Sequence, residues 1–522
     1  MSGPAKMFLM NPIELSLFSS RIAAVCDEMG AMLQRAALSP NIKDRLDFSC
    51  AVFDPQGRLC AQAAHIPVHL GSMAYAMAAI VEGMTWRSGD MVIVNDPYLG
   101  GTHLPDVTLI APLFMDEVLA GFVANRAHHA DIGAQSPGSM PVSRSLDEEG
   151  VVIPPRHLLR DAAVDETVLA AILGMTANPG RGRGDFAAQI SANHCGVRRL
   201  GGLLREMGTS EYFQGLAALN DYAERLAESA LQQIPDGDYR FRDVMDDDGA
   251  GRDDIPIVAA VSVRAGKVHV DFTGTAPQVS GNINCPLSVA AAGVYYVFRC
   301  LMPEYLPDCA GSFRPITLTA PRGCLVNAER PAAVAAGNVE TSTRIVDVVM
   351  GALAQAIPRG IPAASHGSMN NVAMGSRRGT AWDYYETLGG GMGAGPLGGG
   401  LSAVQTHMTN TRNTPVESLE MHFPLRVRRY GIRRGSGGRG RFPGGDGLFR
   451  EFEFLEDTEV SLLSERRRHR PWGLQGGEDG AAGANSLMAK PLPAKVTFLA
   501  RAGERLLLQT PGGGGWGEPD PL

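Results

Sequence analysis

Residues 91–131 read MVIVNDPYLGGTHLPDVTLIAPLFMDEVLAGFVANRAHHAD, and this stretch decides how the first part of the chain folds. Two apolar segments, 107–114 and 119–125, flank the polar pair Asp116-Glu117. Apolar segments joined by a short polar turn are typical of antiparallel strands in a hairpin. The sequence therefore predicts a hairpin whose turn lies at Asp116-Glu117.

This hairpin brings together side chains at the start of its first strand and at the end of its second strand. If it closes tightly, the numbers of paired residues sum to about 233, which sets His128 opposite Pro105 and beside Asp106. His103 precedes Asp106 by three residues. Two imidazoles and a carboxylate are ligands that Zn²⁺, Mn²⁺ or Fe²⁺ accept, so the pattern indicates a metal site. The alternative is structural, with each side chain satisfied as a turn cap or at a strand end.

A second histidine pair, His65 and His69, has the i,i+4 spacing that ligates a metal on a helix. Pro67 lies between them, and proline disfavours a helix interior. We therefore expect these histidines to be polar residues of a turn or of the core.

Composition limits the function classes. The chain has 522 residues, 44% of them hydrophobic, and a formal net charge of −8, which argues against a nucleic-acid surface. Its eight cysteines include no C-x-x-C pair, so we expect them to be reduced and mostly buried. The N-terminus lacks a signal-peptide pattern, and no apolar run reaches the roughly 18 residues of a membrane helix. A cytoplasmic location follows as an expectation.

The segments on either side predict an α+β chain of two units. Asn11-Pro12 is a helix start, and apolar residues at three-and-four spacing predict a long helix after it. These residues are Phe18, Ile22, Val25, Met29, Met32, Leu33 and Ala36. Residues 48–60 read as a second hairpin.

A boundary is expected where a helical region ends. Residues 161–233 are helical in character and run into Ile234-Pro235. We predict an N-terminal α+β metal-binding unit over 1–235 and a mixed α/β unit over 236–522. The second unit begins with strands within 261–272 and a helix over 288–301.

Three glycine-rich segments lie in the second unit, at 389–400, 435–447 and 512–517. They suit tight turns or close approach of backbones. The basic run 466–470 is expected at the surface, as a solvated face or subunit contact. The chain contains no P-loop motif and no G-x-S-x-G motif, so neither phosphate cradling by a P-loop nor acyl-enzyme chemistry is predicted.

Several segments in the same order resemble the hydantoinase B/5-oxoprolinase family, whose relatives include the large subunit of acetone carboxylase. The similar segments are Asn11–Glu14, Ile42–Cys50, Asn95–Asp106, Ala127–Gly133, Gly337–Thr341, Thr409–Thr411, Pro415–Glu417 and Gly444–Gly447. Together they extend over nearly the whole chain.

The resemblance implies a divalent transition metal held by Asp44, His103, Asp106 and His128, with Asp47 as the alternative to Asp44. It makes His129 and Asp131 candidates for a catalytic base or for orienting the ligands, and Asp96 a weaker candidate. The ion itself stays open between Zn²⁺, Mn²⁺ and Fe²⁺.

The resemblance also implies a hydantoinase A-like ATP-binding partner subunit, which phosphorylates the oxygen of a cyclic amide. Water at the metal site of this chain then attacks the activated carbon. Hydantoins, 5-oxoproline and larger lactams all remain open as substrates. The alternatives are a subunit of an ATP-dependent ketone carboxylase and a scaffold subunit without a metal.

Overall fold

The first helix begins where the sequence predicts it. The computed structural model describes residues 10–63, 66–379 and 381–519. The side chain of Asn11 accepts hydrogen bonds from the backbone N–H groups of Ile13 and Glu14, and the Glu14 carboxylate accepts from the N–H of Asn11. This capping box satisfies donors that the first turn leaves unpaired. Most of the predicted apolar stripe is buried, from Phe18 to Leu33, but two of its members, Met32 and Ala36, are exposed.

The described residues form the following helices: α1 (Pro12–Ala36), α2 (Pro40–Lys43), α3 (Pro67–Glu82), α4 (Glu166–Leu173), α5 (Pro179–Met207), α6 (Thr209–Leu231), α7 (Leu287–Cys300), α8 (Ser342–Ala356) and α9 (Val416–His422). A π-helical turn over Gly337–Thr341 leads into α8.

The strands are β1 (Phe48–Phe53), β2 (Leu59–Gln62), β3 (Met91–Val94), β4 (Asp106–Met115), β5 (Val118–His128), β6 (Arg156–Arg160), β7 (Ala163–Val164), β8 (Gly237–Asp247), β9 (Asp253–Arg264), β10 (Lys267–Asp271), β11 (Ile316–Thr319), β12 (Asn371–Ser376), β13 (Trp382–Glu386), β14 (Leu425–Arg433), β15 (Gly447–Phe454), β16 (Thr458–Leu463), β17 (Ala484–Leu487), β18 (Lys490–Leu492), β19 (Lys495–Ala500) and β20 (Arg505–Gln509).

A seven-stranded sheet carries the first part of the chain, in the order β2-β1-β5-β4-β3-β6-β7. Successive residues of a strand point to opposite faces, so each face can pack on different helices. Leu109 of β4 packs in one apolar cluster with residues of α1 and α5. Its neighbour Ile110 packs in another cluster with Met73 and Met77 of α3. The sheet is therefore covered by helices on both faces.

The predicted hairpin is the central pair of this sheet, β4 with β5, but it contains a bulge. Phe114 pairs with Leu119, whereas Leu113 pairs with Gly121. Ala120 is the extra residue on β5, and one extra residue shifts the register of every later pair by one.

The bulge corrects the predicted register. His128 lies opposite Asp106, not opposite Pro105. Because directly opposed residues share a face of the sheet, the shift aims both side chains to the same side, toward α3.

The rest of the chain forms two four-stranded sheets and one five-stranded sheet, with orders β11-β10-β9-β8, β13-β12-β16-β19 and β14-β15-β20-β17-β18. The α+β class with antiparallel hairpins is confirmed. Helix α6 ends at Leu231 and β8 begins at Gly237, and the unit boundary near residue 235 stays a prediction. Seven of the eight cysteines are buried and Cys300 is exposed. In the part of the chain that the structure describes, no helix is long and apolar enough to cross a membrane.

The glycine-rich segments 389–400, 435–447 and 512–517 pack backbone against backbone, as the sequence predicts. A Cβ atom at Gly391 would lie 1.9 Å from the carbonyl oxygen of Gly445. Hydrogen bonds join the same segments, including one from the Gly513 N–H to that carbonyl. Only glycine allows these backbones to approach so closely.

The basic run at 466–470 is only partly at the surface, so the prediction of a surface run is wrong for Arg466. Arg466 is 1% exposed and pairs with Asp243 at 2.8 Å and with Asp347. Arg468 and Arg470 are exposed. Carboxylates from distant segments compensate the buried guanidinium, and local sequence does not reveal such partners.

We predict that Gly391→Ala destabilises the protein by about 3 kcal/mol, because the new methyl group collides with two rigid backbones. The nearest atoms are the carbonyl oxygen of Gly445 at 1.9 Å and the N of Gly513 at 2.3 Å. Chemical denaturation measures the change. Gly398→Ala is the matched control, since a Cβ there meets no atom within 4 Å among the described residues. Equal stability of both variants would contradict the interlocked arrangement.

Candidate metal centre

The carboxylate of Asp106 lies at the centre of the cluster that the sequence predicts. Its Oδ1 is 3.1 Å from Nε2 of His103 and 3.2 Å from Nδ1 of His128. All three side chains are almost completely buried. Each of these three residues offers one ligand atom, and these atoms lie within 4.8 Å of one another. The structure thus brings together the three residues that spacing and hairpin register pointed to.

The conformation of the loop after β3 explains why His103 lies next to Asp106. The segment after β3 makes a short 3₁₀ turn at Pro97–Leu99 and then Gly100 adopts a φ of 106°, a left-handed value that suits glycine. The side chain of Asn95 donates to the carbonyl of Leu104 at 2.8 Å. These features fold the loop back so that His103 and Asp106 face the same cavity.

A hydrogen bond to the backbone orients the ring of His103. Its Nδ1 lies 3.3 Å from the carbonyl oxygen of Ala335, which can only accept, so Nδ1 carries a proton. Nε2 is therefore the nitrogen that faces Asp106 and could bind an ion. Glu149 holds this backbone in turn, because its Oε1 accepts from the N–H groups of Val334 and Ala335 at 2.9 Å each.

The other oxygen of Asp106 is occupied by hydrogen-bond donors. The hydroxyl of Thr102 donates to Oδ2 at 2.6 Å, and Nδ2 of Asn338 donates to it at 3.3 Å. Asn338 belongs to the π-helical turn before α8, and such turns often occur at functional sites. The two oxygens of Asp106 therefore have different surroundings.

Tyr385 of β13 closes the cluster on the side of His128. The two rings stack with centroids 4.5 Å apart and an interplanar angle of 10°. The hydroxyl of Tyr385 donates to Oδ1 of Asn371 at 2.5 Å, and Nδ2 of Asn371 donates to Glu340 at 2.8 Å. This chain of hydrogen bonds fixes the tyrosine ring, and thereby the plane of the imidazole.

Electrostatics keep Asp106 ionised. Burial by itself raises the pKa of Asp106, but the neighbouring His103 and His69 more than offset this and hold it well below its usual value. Burial also acts to lower the pKa of His103, yet the Asp106 carboxylate outweighs it and the net pKa is raised. Burial dominates at His128 and lowers its pKa. A buried carboxylate that stays charged next to imidazoles is a donor set suited to a cation.

The structure gives Asp44 and Asp47 different surroundings. Asp44 is half-buried at the end of α2 and does not line the cavity of the cluster. Asp47 lines it, and its backbone carbonyl accepts from the N–H of His128 at 3.0 Å. This geometry favours Asp47 as the second carboxylate.

His129 and Asp131 are not brought to this cavity. His129 follows His128 directly, so its side chain turns to the opposite face of the sheet, where Nε2 lies 2.9 Å from Gln189 of α5. Asp131 accepts from backbone N–H groups at Gly133 and Ala177. Both side chains border a separate small cavity against α5.

Asp96 is also engaged in structural contacts. It accepts from the N–H of Tyr98 at 3.0 Å and from the side chain of Arg330. The cavity of the cluster is not lined by Asp96.

His69 is a buried polar residue, as the sequence predicts, but it lies in a helix although the position of Pro67 argues against one there. Pro67 is the first residue of α3. Proline is favourable at this position, because a backbone N–H there would have no hydrogen-bond acceptor within the helix. His69 therefore lies in the helix, 2% exposed, with Nε2 3.1 Å from Oδ2 of Asp106. It belongs to the cluster and not merely to the core. His65 lies outside the described residues.

The arrangement fits a divalent transition metal. Nε2 of His128 is buried and, within the described ranges, makes no hydrogen bond, while Nε2 of His103 faces Oδ1 of Asp106. Unpartnered buried nitrogens are costly unless something binds them. Two imidazoles and one ionised carboxylate form the mixed nitrogen and oxygen donor set of many transition-metal sites.

Comparison with known proteins identifies the family of this chain. Residues 11–519 match the family described as Hydantoinase B/oxoprolinase, and the chain belongs to this family.

Two relatives differ in how much of their own length aligns with this chain. The chain is 39% identical to 5-oxoprolinase 1 of Arabidopsis thaliana over 97% of its own length, but it spans only 42% of that protein. It is 32% identical to one subunit of a putative D-/L-hydantoinase from a Pseudomonas species, with 98% of the chain and 90% of the relative aligned. The same sequence unit thus occurs inside a longer protein and as a separate subunit.

Solved structures share the fold. The ATP-dependent caprolactamase of Pseudomonas jessenii superposes with a TM-score of 0.91 and 26% identity, covering 98% of this chain and 91% of that one. The nucleotide-free structure of acetone carboxylase superposes with a TM-score of 0.87 over 98% of this chain and 76% of that one. At 18% identity, the second similarity concerns the fold alone.

We predict that the purified protein carries about one transition-metal ion per chain and that His128→Ala loses it while remaining folded. The imidazole of His128 would supply one of the three donors, so its removal would leave an incomplete site. Elemental analysis together with circular dichroism tests both statements. His422→Ala is the control, because His422 is exposed at the end of α9. A wild-type protein that stays metal-free after reconstitution would refute the site.

Proposed function

We propose that this chain is the metal-binding subunit of an ATP-dependent cyclic amidohydrolase of the hydantoinase, 5-oxoprolinase or lactamase type. The observation that carries the proposal is the buried cluster of His103, Asp106 and His128 in a chain of this family. In the proposed complex a hydantoinase A-like ATP-binding subunit phosphorylates the amide oxygen. The present chain then hydrolyses the activated ring, and a cytoplasmic location is proposed with it.

The relatives support a division of labour between two parts. The plant 5-oxoprolinase has more than half of its length outside the region that aligns with this chain. The Pseudomonas relative is itself described as a subunit. The sequence of this chain contains no P-loop motif. We infer that the ATP-dependent step belongs to a partner.

Ring opening consumes one ATP and two water molecules. Transfer of the γ-phosphoryl group to the amide oxygen makes the ring carbon electrophilic. Water adds to that carbon, the ring C–N bond breaks and the nitrogen takes a proton, which yields an acyl phosphate that a second water hydrolyses to the acid and phosphate. A bound divalent ion would lower the pKa of water and polarise the carbon centre. At least one oxygen of the product carboxylate then comes from solvent.

The residues of this chain would hold the ion and line the cavity around it. His103, Asp106 and His128 would bind the ion, with Asp47 as the additional carboxylate. Oδ1 of Asn338 lines the cavity and, in the described portion of the chain, has no hydrogen-bond partner, so it is free to accept the N–H of a ring amide. Tyr385, Thr387, Thr409 and Thr411 also line the cavity.

The cavity is small compared with a ring substrate. Around the cluster it measures about 20 Å³, which is room for one ion or one water and not for a cyclic amide. Entry of a ring therefore requires the walls to separate. We propose that docking of the partner drives this opening.

A ketone carboxylase is the second candidate, because acetone carboxylase shares the fold. In that reaction an enolate of the ketone would attack an activated carboxyl donor. The two reactions differ in a required substrate, since carboxylation needs bicarbonate and ring opening needs only water. A scaffold role without an ion is the third alternative and leaves the buried imidazole nitrogens unexplained.

We predict that the chain alone turns over neither ATP nor a lactam. With the ATP-binding subunit it should open a hydantoin or lactam without added bicarbonate, and solvent ¹⁸O should appear in the acid. Mass spectrometry of the product measures this. Asp106→Asn should slow ring opening by roughly 100-fold, since the ion loses its central carboxylate. Asp116→Asn is the matched control, in the exposed turn of the hairpin.

Two outcomes would overturn the assignment. Robust ATP turnover by the isolated chain would remove the need for a partner. Turnover that requires bicarbonate and a methyl ketone, with ¹³C from bicarbonate in a new carboxylate, would favour the carboxylase.

A further inference from the structure

His69 lies at the point where α3 meets the open end of the β4–β5 hairpin. It is the third residue of the helix, and its ring is 2% exposed. Its Nε2 is 3.1 Å from Oδ2 of Asp106 and 4.0 Å from Oδ1 of Asp47. The imidazole therefore stands beside both carboxylates of the candidate site.

The carboxylate of Asp106 determines which nitrogen of His69 carries the proton. Its Oδ2 can only accept, so the ring proton resides on Nε2, which donates to it. Nδ1 then accepts from the hydroxyl of Ser49, whose Oγ lies 3.4 Å away and itself accepts from the N–H of Ile66 at 3.2 Å.

Asp106 Oδ2 consequently receives three donors: Thr102, Asn338 and His69. A carboxylate oxygen offers about two lone-pair sites, so these donors fill it. Among the residues that the structure describes, the groups at hydrogen-bond distance from Oδ1 are the nitrogens of His103 and His128. The asymmetry determines which oxygen is available to an ion.

We propose that His69 is a positioning residue: its Nε2–H holds Oδ2 of Asp106, so that Asp106 offers Oδ1 alone to an ion shared with His103 and His128. This inference rests on the proposed metal centre, but it does not depend on the reaction. Residues that orient a metal-ligating carboxylate typically change metal affinity by about 10- to 100-fold when they are removed.

An alternative role for His69 is direct ligation of a second ion together with Asp47. The contact with Asp106 opposes it, because Nε2 donates its N–H to Oδ2 and so has no lone pair to offer an ion. In the described residues the only group of three metal-ligating side chains within reach of one another is His103, Asp106 and His128. Positioning is therefore the role that the contacts favour.

The test compares His69→Leu and His69→Gln with the wild type, because glutamine keeps an N–H donor and leucine does not. Competition with a chromophoric chelator gives the Zn²⁺ dissociation constant. The absorption spectrum of the Co²⁺-loaded protein reports the coordination geometry. We expect His69→Leu to bind about 10- to 100-fold more weakly with a changed Co²⁺ spectrum, and His69→Gln to recover most of the affinity and the wild-type spectrum. His422→Leu is the control.

Several results would overturn the proposal. Unchanged affinity and an unchanged Co²⁺ spectrum in His69→Leu would show that His69 does not orient the site. Two ions in the wild type, one of them lost in the variant, would make His69 a ligand. If His69→Leu fails to fold, a folded His69→Gln variant that does not recover the affinity would equally refute a donor role. A protein that binds metal but opens no ring would refute the proposed function, whereas the Zn²⁺ affinities and Co²⁺ spectra would still test the role of His69.

Discussion

A completely buried carboxylate, that of Asp106, is the constraint on which the rest of the site depends. Asp106 is 0% exposed and remains ionised, and an unpaired buried charge costs several kcal/mol. The protein compensates it with donors on one oxygen and imidazoles around the other. Without an ion, the histidines serve as the counter-groups, which explains why they lie at hydrogen-bond distance from the carboxylate. With an ion, the same geometry becomes a ligand set.

The groups around Asp106 come from distant parts of the chain, so the site exists only in the complete fold. His103 and His128 come from the two ends of the hairpin, His69 from α3, Asn338 from the π-helical turn and Tyr385 from β13. Each is held by a further contact, such as the Ala335 carbonyl at His103. The interlocked glycine segments stabilise the same half of the chain that contributes the tyrosine. This arrangement couples folding of both parts of the chain to assembly of one small cavity.

Sequence alone predicts the elements whose signals are local. The start of α1 at Asn11-Pro12, the β4–β5 hairpin and the close approach of the glycine segments all follow from short patterns, and three of the cluster residues follow from spacing. The predicted register is wrong by one residue because a bulge at Ala120 leaves no clear mark in an apolar segment. His69 falls outside the predicted site because proline usually breaks a helix, whereas Pro67 begins α3. Arg466 and Asn338 meet partners more than a hundred residues away, which no local pattern reveals.

The central claim is that one ion lies between His103, Asp106 and His128. Anomalous X-ray diffraction from crystals of the protein, measured on both sides of the absorption edge of the metal they contain, tests it most directly. We expect a single anomalous peak about 2 Å from Oδ1 of Asp106 and from one nitrogen of each histidine. A peak at another position, or none at this cluster in crystals that do contain metal, would contradict it.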